Sequence, residues 1–280
     1  MNIRNAILEA TNLLSKKGIS SSQLDSEILM AQIIQKDRKF VILNLEKKLK
    51  KGLFDSFKEI IYERSCGKPI AYLTSKKNFW SNEFIVNKNV LIPRPDTEII
   101  IEEVLRFSKY KNKLNILEIG VGSGCILLTI LNEKRNFRGI GIDISKKCLE
   151  LSKLNALNIG LKNQVKFIKS DVDNFNYGKY DLIVSNPPYI ESVNLRKLGK
   201  EVSNFEPKLA LDGGLDGLSA IRKVVKKSSE LIKKNGKLIL EIGYNQKKKV
   251  KQILKDKGFY INKVLKDLGN NERCIISTKV

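Results

Sequence analysis

The stretch Leu114-Asn115-Ile116-Leu117-Glu118-Ile119-Gly120-Val121-Gly122-Ser123-Gly124-Cys125-Ile126-Leu127-Leu128-Thr129-Ile130-Leu131 changes character in its middle. An apolar run of strand length carries a single acid, Glu118. Three glycines follow as GxGxG, and then a longer apolar run predicts a helix over 123–133. A glycine turn from strand to helix lets the backbone come close to a ligand, because no Cβ stands in the way. Outward from this unit the alternation repeats. Strands are expected at 114–119, 138–143, 165–169, 180–185, 237–242, 259–266 and 273–279, with helices at about 146–158, 217–233 and 246–257. Such alternation builds an α/β fold, here a seven-stranded, mostly parallel Rossmann-like sheet with helices on both faces. The last two strands, joined through Asn270-Asn271-Glu272-Arg273, read as an antiparallel return.

Upstream the period is helical. Ile3, Ile7, Ala10, Leu13 and Leu14 recur at helical spacing, and Lys17-Gly18 closes that segment. Ser22 is expected to cap a second helix, with Asp25 as an imperfect capping box and Leu24, Ile28, Leu29 and Ala31 as its apolar face. Further helices are expected over 40–45 and 54–65. Residues 78–86 and 90–92 are rich in β-formers and predict a hairpin turning at Asn87-Lys88-Asn89. Residues 1–75 are thus expected to form a small helical domain, 76–95 a hairpin linker and 96–280 the α/β domain.

Composition removes several kinds of chemistry. There is no histidine, so a Ser-His-Asp triad, a Cys-His dyad and a histidine base are all excluded. Cys66, Cys125, Cys148 and Cys274 are scattered, which speaks against a zinc site and for reduced core thiols; no metal is expected. Glu9 interrupts any apolar signal segment and no run is long enough to span a bilayer, so a cytoplasmic protein without membrane contact is expected. The formal net charge of +22 is compatible with nucleic acid or ribosome contact but does not require it, since arginine is scarce beside lysine.

Two further acids close successive strands. Asp143 ends Ile140-Gly141-Ile142-Asp143, where a carboxylate accepts from both hydroxyls of a ribose. Asp171 follows the third strand and is placed to accept from an adenine amino group, with the Val172 N–H directed at the ring. Dinucleotides use GxGxxG to seat a pyrophosphate on a helix N-terminus. The tighter GxGxG here, with Glu118 to attract an ammonium, suits a phosphate-free ligand such as S-adenosylmethionine.

The fourth strand ends in Ser185-Asn186-Pro187-Pro188-Tyr189-Ile190. Proline cannot donate to a ladder, so the strand stops there. At the carboxyl end of a parallel strand the same residues form a rigid clamp. The Asn186 side-chain carbonyl and the Pro187 backbone carbonyl can accept both hydrogens of a planar NH2 group, and Tyr189 can stack on its flat face. Such bonds favour pyramidalisation of a poorly nucleophilic nitrogen as positive charge grows on it. Adenine N6, cytosine N4 and the glutamine amide all fit.

Longer segments narrow the choice. Gly67-Lys68-Pro69-Ile70-Ala71-Tyr72-Leu73-Thr74, Phe79-Trp80, Leu91-Ile92-Pro93-Arg94-Pro95-Asp96-Thr97-Glu98, the glycine turn, Asn186-Pro187-Pro188-Tyr189-Ile190, Phe205-Glu206-Pro207-Lys208-Leu209-Ala210-Leu211 and Asp267-Leu268-Gly269-Asn270-Asn271-Glu272-Arg273 resemble the release-factor glutamine methyltransferases over nearly the whole chain. The resemblance implies a class I methyltransferase domain and an N-terminal helical domain that binds class 1 peptide-chain release factors. It implies N5 methylation of the glutamine in their Gly-Gly-Gln loop by a monomer. Gly120, Val121, Gly122, Ser123, Gly124, Asp143, Val172 and Asn186 would contact adenosylmethionine; Asn186, Pro187, Pro188 and Tyr189 would hold the amide. Where the family often has a bulky aromatic, this chain has Val172, which stacks less on adenine. Arg94 and Glu98 are expected to brace the pocket or to form a structural ion pair. An adenine-N6 methyltransferase of DNA or RNA is the alternative; it lacks a separate target-recognition domain and an aromatic strand face for flipped bases. A cofactor-binding scaffold without catalysis is disfavoured by the intact Asn186 and glycine turn.

Overall fold

A computed structural model describes residues 1–280. The chain divides into two compact units, Met1–Lys76 with Gly199–Phe205, and Lys77–Leu198 with Glu206–Val280. Residues 199–205, expected within the α/β domain, belong to the helical unit. The buried Arg64 guanidinium explains this, since it bonds Asp25 at 2.7 Å and takes Glu201 as a second carboxylate, also at 2.7 Å.

The helical unit contains α1 (Ile3–Lys16), α2 (Ser22–Ile33), α3 (Arg38–Leu43), α4 (Lys51–Ser65), α5 (Ile70–Thr74) and the later α9 (Lys200–Phe205). Ile3, Ile7, Ala10 and Leu14 lie on one face of α1 and pack with Leu29, Met30, Val41, Phe57 and Ile61. Asn2 caps α1 by accepting from the Asn5 N–H, and Asp37 caps α3 through the Phe40 N–H. The α2 expectation needs correction. Ser22 is its first residue rather than its cap, Leu24 is exposed, and Asp25, Ser26 and Glu27 are buried. Arg64 is the reason: its ion pair draws Asp25 inward and turns that face of the helix with it.

In the second unit β1 (Lys76–Phe79) and β2 (Asn82–Ile85) form a separate two-stranded sheet. Its turn is Trp80-Ser81, not Asn87-Lys88-Asn89, and 90–92 is not a strand. Trp80 adopts φ 55°, a left-handed conformation unusual for a bulky residue. Two carboxylates hold it there: its N–H donates to Glu98 at 2.7 Å and its indole N–H to Glu133 at 3.0 Å.

After α6 (Glu98–Phe107) come β3 (Asn115–Ile119), α7 (Cys125–Glu133), β4 (Arg138–Asp143), α8 (Lys146–Asn158), β5 (Val165–Lys169) and β6 (Tyr180–Ser185). The chain then continues through α10 (Ser219–Leu231), β7 (Ile232–Glu241), α11 (Lys247–Asp256), β8 (Phe259–Lys266) and β9 (Glu272–Lys279). The seven-stranded sheet has the order β5-β4-β3-β6-β7-β9-β8, with β9 antiparallel to both neighbours and the other pairs parallel. Both faces are covered, as a parallel sheet requires. Ile116, Leu182 and Val184 enter one core cluster, while Leu117, Tyr180 and Ile183 enter the other. Each fully buried aliphatic side chain there contributes about 1.5–3 kcal/mol.

Strand order reverses between β3 and β6, and this switch point opens a crevice at their carboxyl ends. Close packing beneath the crevice fixes the glycine turn. A Cβ on Gly141 of β4 would lie 2.8 Å from Val121 Cγ2 and 2.9 Å from the Phe167 ring. Gly141→Ala is therefore expected to cost about 1–3 kcal/mol in denaturant unfolding. It should also shift the Val121 methyl resonances, which sit at the point of overlap.

Candidate active site

A cavity of about 550 Å³ sits at the carboxyl ends of β3, β4, β5 and β6. Its floor is the glycine turn. The N–H groups of Gly120 and Val121 both donate to Ile142 O, at 2.9 and 3.0 Å, and tie the turn to β4. Gly122 takes φ 54° with open space where a side chain would project, so its bare backbone faces the cavity. Ser123 lines it too. Gly124 does not: a Cβ there would meet Leu128 Cδ1 at 2.9 Å, so this glycine serves the packing of α7 and α8 behind the turn.

Glu118 is 1 % exposed and accepts from the Leu127 N–H at 3.0 Å, which satisfies one free donor at the start of α7. Burial pushes its carboxyl well above the usual range, and nearby Asp143 adds to this. A buried carboxylate with one N–H partner and no cation is chemically incomplete. Asp143 accepts from Gly122 N–H at 3.0 Å through Oδ2 and from Ser145 N–H at 2.9 Å through Oδ1. Burial raises its pKa while those backbone donors oppose the rise. Each oxygen keeps acceptor capacity for a further hydroxyl. Asp171 and Val172 line the opposite wall, and the Asp171 carboxylate accepts from the Asp173 N–H at 2.9 Å.

Asn186, Pro187 and Pro188 line the cavity at the end of β6. The Asn186 Nδ2 donates to Thr97 Oγ1 at 3.3 Å, and Thr97 in turn donates to Glu241 Oε2 at 2.7 Å. With its nitrogen so engaged, Asn186 presents Oδ1 as its open acceptor. Tyr189, expected to stack on the substrate, does not line the cavity. Its ring packs in the core, its hydroxyl lies 3.4 Å from both Glu241 Oε1 and Arg273 Nη1, and its carbonyl accepts from Gln246 at 2.9 Å. Burial and the adjoining Glu241 raise the phenol to about 12.

Arg94 lines the cavity, but it does not pair with Glu98. Glu206 is its partner and also accepts from the Ile92 N–H at 3.2 Å, while Glu98 is taken by Trp80. Glu241, Gln246 and Thr97 were not assigned from the sequence. Glu241 did leave a signal: it follows the apolar run Leu238-Ile239-Leu240 much as Glu118 follows Ile116-Leu117 near the end of β3. It is 2 % exposed, and burial lifts its carboxyl to about 7 against the opposing pull of Thr97 and Arg273.

Residues 5–74 match the family model of the PrmC N-terminal domain, and residues 97–202 match the methyltransferase small domain. Over full length the chain is 37% identical across 280 residues to a release factor glutamine methyltransferase of Buchnera aphidicola subsp. Schizaphis graminum, covering 100% of both proteins. It is 33% identical across 282 residues to the release factor glutamine methyltransferase of Clostridium acetobutylicum, covering 100% of this chain and 99% of that one. A bifunctional methyltransferase of Rickettsia conorii is 36% identical over 99% of this chain; the chain spans 58% of that protein, little more than half its length. Among solved structures, a methyltransferase from Pyrococcus furiosus aligns with TM-score 0.53 at 15% identity, covering 80% of this chain and 98% of that one. The ribosomal protein L11 methylase from Lactobacillus delbrueckii subsp. bulgaricus aligns with TM-score 0.51 at 17% identity, covering 70% and 84%. These two show the fold.

The desolvated Glu118 gives a prediction of definite sign. Its folded pKa lies above the unfolded one, so it favours folding when protonated and costs stability as pH rises through that interval. Glu118→Gln should leave the thermal midpoint nearly unchanged at acidic pH and raise it by a few degrees at alkaline pH. Cation binding in the cavity should weaken at the same time.

Proposed function

The chain belongs to the release factor glutamine methyltransferase family, and we propose that it transfers a methyl group from S-adenosylmethionine to the side-chain amide nitrogen of the glutamine in the Gly-Gly-Gln loop of class 1 peptide-chain release factors. The observation that carries this reading is the Asn186 side chain, which lines the cavity and donates through Nδ2 to Thr97 at 3.3 Å, so that Oδ1 remains an open acceptor. That oxygen and the carbonyl of Pro187 form an acceptor pair for one NH2 group.

The residues present fit the cofactor. Glu118, buried with a single N–H partner, is completed by the methionyl ammonium. Gly120, Val121, Gly122 and Ser123 give a backbone surface against which the methionyl chain lies. Asp143 would take the ribose hydroxyls, and Asp171 and Val172, which line the same cavity, would border the adenine. When bound, adenosylmethionine supplies an electrophilic methyl carbon with a neutral thioether as leaving group.

The protein's own residues do the rest. Asn186 and Pro187 accept the two amide hydrogens and so localise the nitrogen lone pair. As the nitrogen bonds the methyl carbon, these acceptors stabilise its growing positive charge, and the proton departs to water. The prolines have fixed φ, so little ordering remains when substrate binds. Holding nitrogen and methyl in line contributes on the order of 7–11 kcal/mol to lowering the barrier. A translation factor as substrate supports a cytoplasmic location.

The test is transfer of labelled methyl from adenosylmethionine, with a class 1 release factor, its Gln→Ala loop variant, duplex DNA and RNA as acceptors. Label is expected on the release factor alone and only with its glutamine intact; label confined to nucleic acid would sink the proposal. In the same assay Asn186→Ala should lower kcat on the order of 100-fold, with a much smaller change in cofactor affinity.

A further inference from the structure

An asparagine amide has nearly the same shape either way round. Turned by half a rotation, it presents a donor where an acceptor had been. A clamp for an NH2 group works in only one of these states, so something must choose between them. Neither the glycine turn nor the prolines can do so, because they fix the backbone and not the amide.

We propose that Glu241 is the positioning residue that makes this choice, acting through Thr97 on the Asn186 amide. The inference rests on reading Asn186 and Pro187 as an amide clamp. The geometry is a chain of two hydrogen bonds, Asn186 Nδ2 to Thr97 Oγ1 at 3.3 Å and Thr97 Oγ1 to Glu241 Oε2 at 2.7 Å. Thr97 is 2 % exposed and has a single hydroxyl proton. An ionised Glu241 is acceptor-only, so it takes that proton. The Thr97 oxygen must then accept, and the only end of Asn186 that can donate is Nδ2. Oδ1 is left facing the cavity, as the clamp needs.

A proton on Glu241 reverses the chain. It belongs on Oε2, because Oε1 already accepts from the Tyr189 hydroxyl. Oε2–H then donates to Thr97, the Thr97 proton turns to Asn186, and Oδ1 is the atom that receives it. Nδ2 now points into the cavity, a donor against a donor. The clamp is lost with no change in backbone.

The surroundings allow this titration near neutrality. Glu241 sits on β7 opposite Cys274 of β9, with Asp96 and Thr97 on one side, Tyr189 on another and Cys125 facing it from α7. Its cationic neighbour Arg273 is shared, being bonded to Asp267 at 3.0 Å and lying 3.8 Å from Asp96. Burial therefore outweighs the attraction, and the carboxyl titrates at about 7. Tyr189 and Cys125 are raised to about 12 and Cys274 is raised well above its ordinary value, so these three stay protonated through that range.

The experiment has two arms. In the first, the pH profile of kcat is measured for the wild type, Thr97→Val, Thr97→Ser and Glu241→Gln, with thermal midpoints to confirm folding. Wild-type kcat should fall about tenfold per pH unit below the titration of Glu241. An acid effect from Glu118 would instead enter the cofactor KM. Thr97→Val, isosteric but without the hydroxyl, should lower kcat at least tenfold and flatten the acid limb. Thr97→Ser should restore both rate and limb, and Glu241→Gln should flatten the limb. In the second arm, the Asn186 side-chain NH2 resonances of the unliganded protein are followed with pH. They should titrate in the wild type and Thr97→Ser but not in Glu241→Gln or Thr97→Val. An Asn186 amide that ignores pH, an acid limb that survives Glu241→Gln, or a valine variant as active as the serine one overturns the inference. If no glutamine is methylated but the amide titrates with Glu241, the substrate reading fails and this one stands.

Discussion

Negative charge buried at the carboxyl ends of parallel strands is the constraint on which this site depends. Glu118 is the penultimate residue of β3 and Glu241 closes β7, each almost without exposure, while the more accessible Asp143 closes β4. A carboxylate in such a place loses its water and must be repaid by donors or a cation. The fold supplies donors sparingly: one N–H for Glu118, two for Asp143, and hydroxyls of Thr97 and Tyr189 for Glu241. Only Glu241 has an arginine close by, and that arginine is shared. The site is therefore held under electrostatic tension, which a ligand carrying an ammonium and hydroxyls relieves. Binding and stability are linked for that reason, because the free protein bears a cost that the complex does not.

The rigidity of Asn186-Pro187-Pro188-Tyr189 comes from two sources at different levels. The prolines restrict φ locally. The tertiary structure does the rest: Gln246 donates to the carbonyls of Tyr189 and Gly217, and Glu241 with Arg273 holds the Tyr189 hydroxyl. Tyr189 thus anchors the segment that follows β6. Its partly buried ring packs against the core and its hydroxyl lies beside two charged groups, which places it outside the cavity lining.

The sheet was legible because its signals are local and repeated: apolar runs of strand length, glycine turns, and acids at successive strand ends. Those same signals placed Glu118, Asp143, Asp171 and Asn186 around one cavity. What stayed hidden depends on partners far away in sequence. Ser22 looked like a cap until Arg64, from another helix, took Asp25. The hairpin seemed to turn at its asparagines, but Glu98 and Glu133 hold Trp80 in a left-handed turn that no local preference suggests. Arg94 finds Glu206 rather than the nearby Glu98. The link from Asn186 through Thr97 to Glu241 joins three segments that no short motif spans.

The strongly basic protein carries a cluster of acids at its strand ends, and the contrast has a physical consequence. With a formal net charge of +22, the molecule as a whole repels a cationic ligand. Screening confines that repulsion, since exposed charges lose most of their reach beyond a Debye length of about 8 Å in physiological salt. Inside the cavity the dielectric is lower, and the carboxyls of Glu118, Asp143 and Asp171 line the strand ends, with Lys88, Arg94 and Lys223 also among the lining residues. The nearest carboxyls therefore weigh more than the distant surface lysines in holding a small cation.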